Sequence, residues 1–140
     1  LNTSNKSEMA TCYSTIYGDM SGGLSPIGDL LKTEVYDLAR HLNEERGSII
    51  PDLILTRAPS AELRPQQKDE DTLPPYSELD PAVENMVENY RPPKTELDRQ
   101  ILQMMMKSEF KRWQSPPILK VSEHAFGRGR RLPVAHKAWY

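Results

Sequence analysis

The chain has 140 residues, a net charge of -2 and a hydrophobic share of 37%. Near balance of acids and bases argues against a general nucleic-acid binder, which carries a strong basic excess, and no apolar run approaches the ~20 residues that span a bilayer. The single cysteine, Cys12, excludes an internal disulfide and a Cys-rich metal site and fits a reducing cytoplasm.

The hydrophobic share lies below the ~45–50% usual for globular domains, and proline is high at 12 residues. A thin core is expected, with parts of the chain leaning on something else. In chain order, Asn5 to Tyr17 reads as a helix. Asn5 and Glu8 have capping-box spacing, and Met9, Cys12, Tyr13 and Ile16 form one apolar stripe. YGDMSGG then ends it with glycines that tolerate positive φ and close approach. A second helix is expected from about Leu31 to Glu45, with Asp29 as its cap, Val35, Leu38, Ala39 and Leu42 as its stripe and Gly47 as its stop. IIPDLILTRAPSAEL reads as a short helical turn and a loop.

RPQQKDEDTLPP, residues 64–75, has one large apolar residue, Leu73, and reads as a mobile loop. Asp80-Pro81 predicts an N-cap and a first-turn proline for a helix to Tyr90, with stripe Val83, Met86, Val87 and Tyr90. Thr95 opens another helix to about Lys107, with Leu97, Ile101, Met104 and Met105 inside. Ser108 is a candidate cap for SEFKRWQ. The tail, residues 118–140, has no clean period. The inventory is mostly helical, with almost no convincing strand. Leu1-Asn2 fits the end of a strand, and strand end, polar loop and helix is the arrangement at the ligand-binding edge of an α/β sheet.

Four blocks carry a family resemblance: NTSNKSEMATCYSTIYGDMSGGLSPIGDLLKTEVYDLAR, RAPSAELRPQQKDEDTLPPY, SEFKRWQSPP and AFGRGRRLPVAH. In that order they resemble the C-terminal part of NAD+ synthetase, most closely the synthetase domain of the glutamine-dependent form. The resemblance implies an α/β fold, the C-terminal portion of an ATP-pyrophosphatase-type parallel-sheet domain. It implies ATP-dependent amidation of deamido-NAD+, with ATP and Mg2+, through an adenylate that ammonia then displaces. It also implies a homo-oligomer in the cytoplasm, and residues 1–140 as the back portion of a larger enzyme. That enzyme would bring the front half of the synthetase domain and a glutamine amidase domain. The family's Ser-Gly-Gly-x-Asp-Ser pyrophosphate loop is not among these residues: Ser21-Gly22-Gly23 is not followed by Asp-Ser. The chain alone is therefore expected to be inactive. The competing reading is a non-catalytic interaction or assembly segment that keeps its ligand residues as relics.

Each site residue has a plainer reading beside the one the resemblance implies. Thr3 resembles an ATP-contacting threonine, and is otherwise a turn residue. Glu8 would hold Mg2+ beside deamido-NAD+, as a hard cation wants a carboxylate near phosphates; otherwise it caps its helix. Tyr13 and Asp19 would lie on the deamido-NAD+ side, and otherwise are core and turn. Lys32, at a helix start that disfavours a cation, asks for an anion, which the resemblance supplies as ATP phosphate. Ser60 would contact ATP. Lys68 and Asp69 would act in catalysis from a lid over residues 64–75, excluding water from a hydrolysable intermediate; otherwise KDED is a solvated charge run. Lys111 would bind deamido-NAD+, and otherwise is a solvated lysine in a basic patch with Arg112. Arg128, Arg130 and Arg131 form the one dense basic cluster, in a chain whose overall charge argues against nucleic acid.

Overall fold

The computed structural model describes residues 1–60 and 68–135. Six α-helices follow in order: α1 (Lys6–Thr11), α2 (Lys32–Arg46), α3 (Asp52–Thr56), α4 (Tyr76–Val87), α5 (Glu96–Lys107) and α6 (Glu109–Arg112), with a 3-10 turn at Asp69–Asp71. Among the described residues no strand forms. Extended backbone meets only at isolated points, a parallel bridge between Ser25 and Ile118 and a bond from the Asn2 amide to the Leu24 carbonyl, 2.7 Å.

Helix α1 is the hub, packing on α2, α4 and α5. It has six residues, too few to be stable on propensity alone; its start is held by its own capping box and its end from outside. At the start Asn5 Oδ1 accepts from the Glu8 amide, and Glu8 Oε2 accepts from the Asn5 amide. This is the predicted capping box.

The predicted run to Tyr17 fails at Cys12, which turns left-handed with φ 48°. The last carbonyls of a helix have no partner within it. Here Arg112 Nη1 donates to the Met9 and Ala10 carbonyls at 3.1 and 2.7 Å. Ser108 Oγ donates to the Thr11 carbonyl at 3.0 Å, and Lys111 Nζ to the Cys12 carbonyl at 3.1 Å. Ser108 thus terminates α1 and makes no side-chain cap to α6. Arg112, read as part of a solvated basic patch, is only 4% exposed. The turn beyond α1 closes around Gly22, whose φ of +143° and 3.3 Å approach to Asn2 leave no room for a side chain.

Asp29 does not cap α2. Lys32 N donates to Ser7 Oγ at 2.9 Å, and the Thr33 amide and hydroxyl donate to Asp80 Oδ2, both at 2.8 Å. Asp80 therefore serves another helix's N-terminus rather than its own. Its own helix begins earlier than predicted, at Tyr76, leaving Pro81 inside it. The α4 stripe holds for Val83, Met86 and Val87, which are buried, but Tyr90 turns left-handed and is exposed. Thr95 caps α5 as predicted, with Asp98 completing its capping box. Ile101 and Met105 are buried in the core beside Met9, Leu79 and Leu73, and Leu97 and Met104 pack against it. Gly47 ends α2 as predicted. The α2 stripe, by contrast, buries no residue, and Leu38, Leu53 and Ile54 are exposed.

Asp29 is instead the centre of a buried ionic cluster. Lys6 Nζ contacts Asp29 Oδ1 at 2.9 Å and also pairs with Glu88. The Val121 and Ser122 amides donate to Asp29 Oδ2 at 2.8 and 2.7 Å, and the His124 amide to Glu88 Oε2 at 3.0 Å. The tail is pinned by these bonds. Burial pushes the Asp29 carboxyl up, but the two amides, Lys6 and the Ser122 hydroxyl outweigh it and hold the group below its usual 3.8. Burial likewise raises Glu88, and Lys6, Ser122 and the His124 amide bring it below 4.5. A carboxylate depressed on folding stabilises above its unfolded pKa, and that stabilisation is lost as pH falls through the folded value. Urea midpoints should therefore be level near neutrality and fall steeply below about pH 4. Asp29→Asn should flatten that acid limb; an unchanged limb would remove the cluster from the account.

Candidate functional site

A cleft of about 330 Å³ opens where the segment before α1, the turn after it, the start of α2 and the Ser60 and Asp69 segments meet. Thr3, Glu8, Tyr13, Asp19, Lys32, Ser60 and Asp69 line it, together with Ser4 and Ser14. Seven of the nine predicted site residues thus share one wall system. The other two do not line it. Lys68 is exposed, with its amide on Asp71 Oδ2 at 2.9 Å. Lys111 lies behind the turn, donating to the Cys12 and Ser14 carbonyls at 3.1 and 2.9 Å. Of the predicted lid, residues 64–67 lie outside the described residues. Residues 68–75 are tied down: Leu73 and Asp69 are buried, and the Asp69 amide donates to the Pro59 carbonyl at 3.0 Å.

Glu8 serves two purposes at once. Oε2 completes the α1 cap, and Oε1 takes Lys32 Nζ at 3.0 Å. The anion that a lysine at a helix start asks for is, in this structure, Glu8. Burial lowers the Lys32 pKa, but Glu8, then Tyr36 and Asp69, outweigh it and raise it above the ordinary value. The ammonium is therefore charged at any working pH. It lies 5.4 Å from the Tyr76 ring centre and 5.9 Å from that of Tyr36.

Asp69 gives Oδ2 to the Tyr76 hydroxyl at 2.8 Å. Its Oδ1 is buried with no hydrogen-bond partner among the described residues, as is Ser14 Oγ. Buried polar atoms are nearly always paired, so these two leave the cleft with hydrogen-bonding capacity for a water or a ligand. Asp19 is exposed, and its Oδ2 closes its own turn onto the Thr15 amide and hydroxyl at 2.8 and 3.0 Å. Among the described residues the cleft carries three carboxylates, Glu8, Asp19 and Asp69, against one ammonium, Lys32.

The donor set decides whether a divalent cation suits the cleft. No group of three or more His, Cys, Asp or Glu side chains gathers for a metal among the described residues. A Mg2+ bound through one or two carboxylates plus ligand phosphates needs no such cage. Glu8 and the unpartnered Asp69 Oδ1 fit that pattern. A polyphosphate entering this acidic cleft would also need a counter-cation, since repulsion between like charges in a partly buried site is weakly screened.

A larger cavity, about 380 Å³, lies on the tail and is lined by Arg128, Arg130, Arg131, Lys120, Glu123 and His124 among others. It contains none of the predicted site residues. No helix among the described residues is long and apolar enough to cross a membrane.

A family model described as NAD synthase matches residues 1–115. The chain belongs to the NAD synthase family. It is 49% identical over 96% of its length to a glutamine-dependent NAD(+) synthetase of Synechocystis, of which it covers 25%. It is 43% identical over 98% of its length to that of Thermotoga maritima, again covering 25%. A solved structure of the Acinetobacter baumannii glutamine-dependent NAD+ synthetase, in complex with adenosine diphosphate, aligns with 94% of the chain and 24% of that chain, at 28% identity and a TM-score of 0.43. The chain therefore spans about a quarter of the length of the relatives it matches. Those relatives are enzymes.

Sequence reasoning missed Ser14, Tyr76 and Asp80 in this NAD synthase segment. Ser14 adjoins the predicted Tyr13. Tyr76 ends LPPY and reads as a loop residue until its helix is seen to begin there. Asp80 looked like a cap, and is one, for a different helix.

Proposed function

We propose that this segment supplies part of the substrate site for ATP-dependent amidation of deamido-NAD+ to NAD+. The observation that carries the reading is the convergence of Thr3, Glu8, Tyr13, Asp19, Lys32, Ser60 and Asp69 on one cleft, from stretches of sequence far apart. In this reading the nicotinate carboxylate attacks the α-phosphorus of ATP, pyrophosphate leaves, and ammonia then displaces AMP from the mixed anhydride to leave the amide. Thr3, Lys32 and Ser60 contact ATP, with the Lys32 ammonium exchanging Glu8 for phosphate oxygen. Tyr13 and Asp19 face the dinucleotide. Lys111 contributes to deamido-NAD+ binding by orienting the turn that bears Tyr13 and Ser14. Asp69, with one oxygen on the Tyr76 hydroxyl, acts from the cleft wall, and Lys68 acts beside it from the start of the 3-10 turn. Glu8 and Asp69 would hold Mg2+, which offsets phosphate charge and polarises the phosphoryl oxygens.

The segment is, on this reading, the C-terminal portion of an ATP-pyrophosphatase-type parallel-sheet α/β domain. The parallel bridge at Ser25 and Ile118 and the Asn2–Leu24 bond support it, because they set extended segments side by side. Partners of the whole enzyme would be the front half of that domain, an amidase domain delivering ammonia, and a second copy of the enzyme in the cytoplasm. The uncovered apolar residues of α2 and α3, Leu38, Leu53 and Ile54, suit burial against such neighbours.

The test is a chimera. The chain replaces its matching quarter of the Synechocystis enzyme, and NAD+ formation from deamido-NAD+, ATP and ammonia is followed. Turnover is expected from the chimera, and none from the 140-residue chain alone, which has no Ser-Gly-Gly-x-Asp-Ser loop. A folded but inert chimera, or an active isolated chain, would overturn the reading.

A further inference from the structure

Tyr76 does not line the cleft, yet it touches both of its walls. On one wall Glu8 Oε1 and Lys32 Nζ pair at 3.0 Å, and the Tyr76 ring centre lies 5.4 Å from that ammonium. On the other wall the Asp69 amide is fixed to the Pro59 carbonyl beside Ser60, and the Tyr76 hydroxyl donates to Asp69 Oδ2 at 2.8 Å. A hydrogen bond to one oxygen of a carboxylate fixes the plane of the group, and so the position of its second oxygen. The bond therefore places the oxygen left over, the buried Oδ1, which has no hydrogen-bond partner among the described residues. An aromatic face attracts a desolvated ammonium, so the same side chain also limits where Lys32 can swing. Burial raises the phenol pKa, and Glu8 and Asp69 raise it further, well above the ordinary value. The hydroxyl is a proton donor at every working pH.

We propose that Tyr76 is the positioning residue of this cleft, its hydroxyl fixing the Asp69 carboxylate and its ring holding the Lys32 ammonium, so that a nucleotide phosphate and its cation meet both groups in one geometry. The proposal rests on the reading of the cleft as a nucleotide site. It acts through Asp69 and Lys32 and requires no contact between Tyr76 and the ligand.

The experiment uses the chimera with the Synechocystis enzyme and Mg·ATP, with affinity measured by titration calorimetry for the chimera carrying the wild-type chain, Tyr76→Phe, Tyr76→Leu, Asp69→Asn and the Tyr76→Phe/Asp69→Asn pair. Tyr76→Phe keeps the ring and loses the hydroxyl, and is expected to weaken Mg·ATP by about tenfold, the scale of one hydrogen bond to a charged group. In the Asp69→Asn background the same substitution should cost less than about twofold, because coupled residues are not additive. A ligand-free spectrum adds a readout that general destabilisation would not move. The ring-current shift of the Lys32 side-chain protons should persist in Tyr76→Phe and shrink in Tyr76→Leu to the part that Tyr36, 5.9 Å away, supplies. If wild type binds and Tyr76→Phe binds equally, the positioning role is wrong while the nucleotide reading stands. If Tyr76→Phe costs the same with and without Asp69, Tyr76 acts on the fold and the proposal falls. If wild type takes up no Mg·ATP, the nucleotide reading fails and the proposal with it.

Discussion

Arg112→Ala should cost about 3–5 kcal/mol of folding stability, the usual price of removing one partner of a buried ion pair. The guanidinium holds Glu109 at 2.9 Å, takes the Met9 and Ala10 carbonyls, donates to the Met105 carbonyl and lies 5.1 Å from the Phe126 ring centre. Removal leaves Glu109, 3% exposed, with the Trp113 indole and the Leu132 amide as its remaining hydrogen-bond donors among the described residues, and the Arg130 guanidinium nearby. Arg112→Lys should recover little, because an ammonium cannot reproduce a planar fork that serves several acceptors. Small domains hold about 5–15 kcal/mol in all, so the alanine variant should approach the unfolding threshold. A urea midpoint that barely moves in Arg112→Ala would mean that α1 is held by packing alone.

Glu8→Gln separates two roles that the structure overlays. The glutamine oxygen can still accept from the Asn5 amide, so the α1 cap survives. The Lys32 pair is partly exposed, with side chains 19% and 20% accessible, and such pairs contribute little. Stability should therefore change by no more than about 1 kcal/mol. Turnover of the chimera should fall by orders of magnitude, because charge stabilisation through a bound cation acts mainly in the transition state. Binding should show the same split: ATP affinity of the wild-type chain rises with Mg2+, and that of Glu8→Gln does not. A variant that melts early and keeps its rate would leave Glu8 as a cap and nothing more.

Local signals predicted α5 well. Thr95, Asp98 and the stripe through Ile101 and Met105 lie within one helix, and the structure keeps them. The box at Asn5 and Glu8 is local and held for the same reason. Three of the failures are decided by partners distant in sequence. The apolar stripe past Cys12 looks helical, but Ser108, Lys111 and Arg112 take the carbonyls there and end the helix. Asp29 and Asp80 both carry the residue type of a cap, and no periodicity can say that one will meet Lys6 and Ser122 and the other Ser7 and Thr33. The cleft-lining residues came from family resemblance. Spacing alone offered a plainer explanation for each of them, and Tyr76, which bridges their walls, gave no signal at all.

The non-local fastening of α1 sets an order of assembly. Its final carbonyls are reached by residues 97 to 103 positions later, and Lys6 by Ser122, 116 positions later. A six-residue helix nucleates poorly by itself, and closing loops of that length costs entropy before any contact rewards it. As the polypeptide leaves the ribosome, the residues of the first wall emerge before the partners that fasten them. They take up their arrangement only once α6 and the tail have arrived. A truncated chain ending before Ser108 would contain Thr3, Glu8, Tyr13 and Asp19 without the bonds that end α1, and on the proposed reading should capture no ligand.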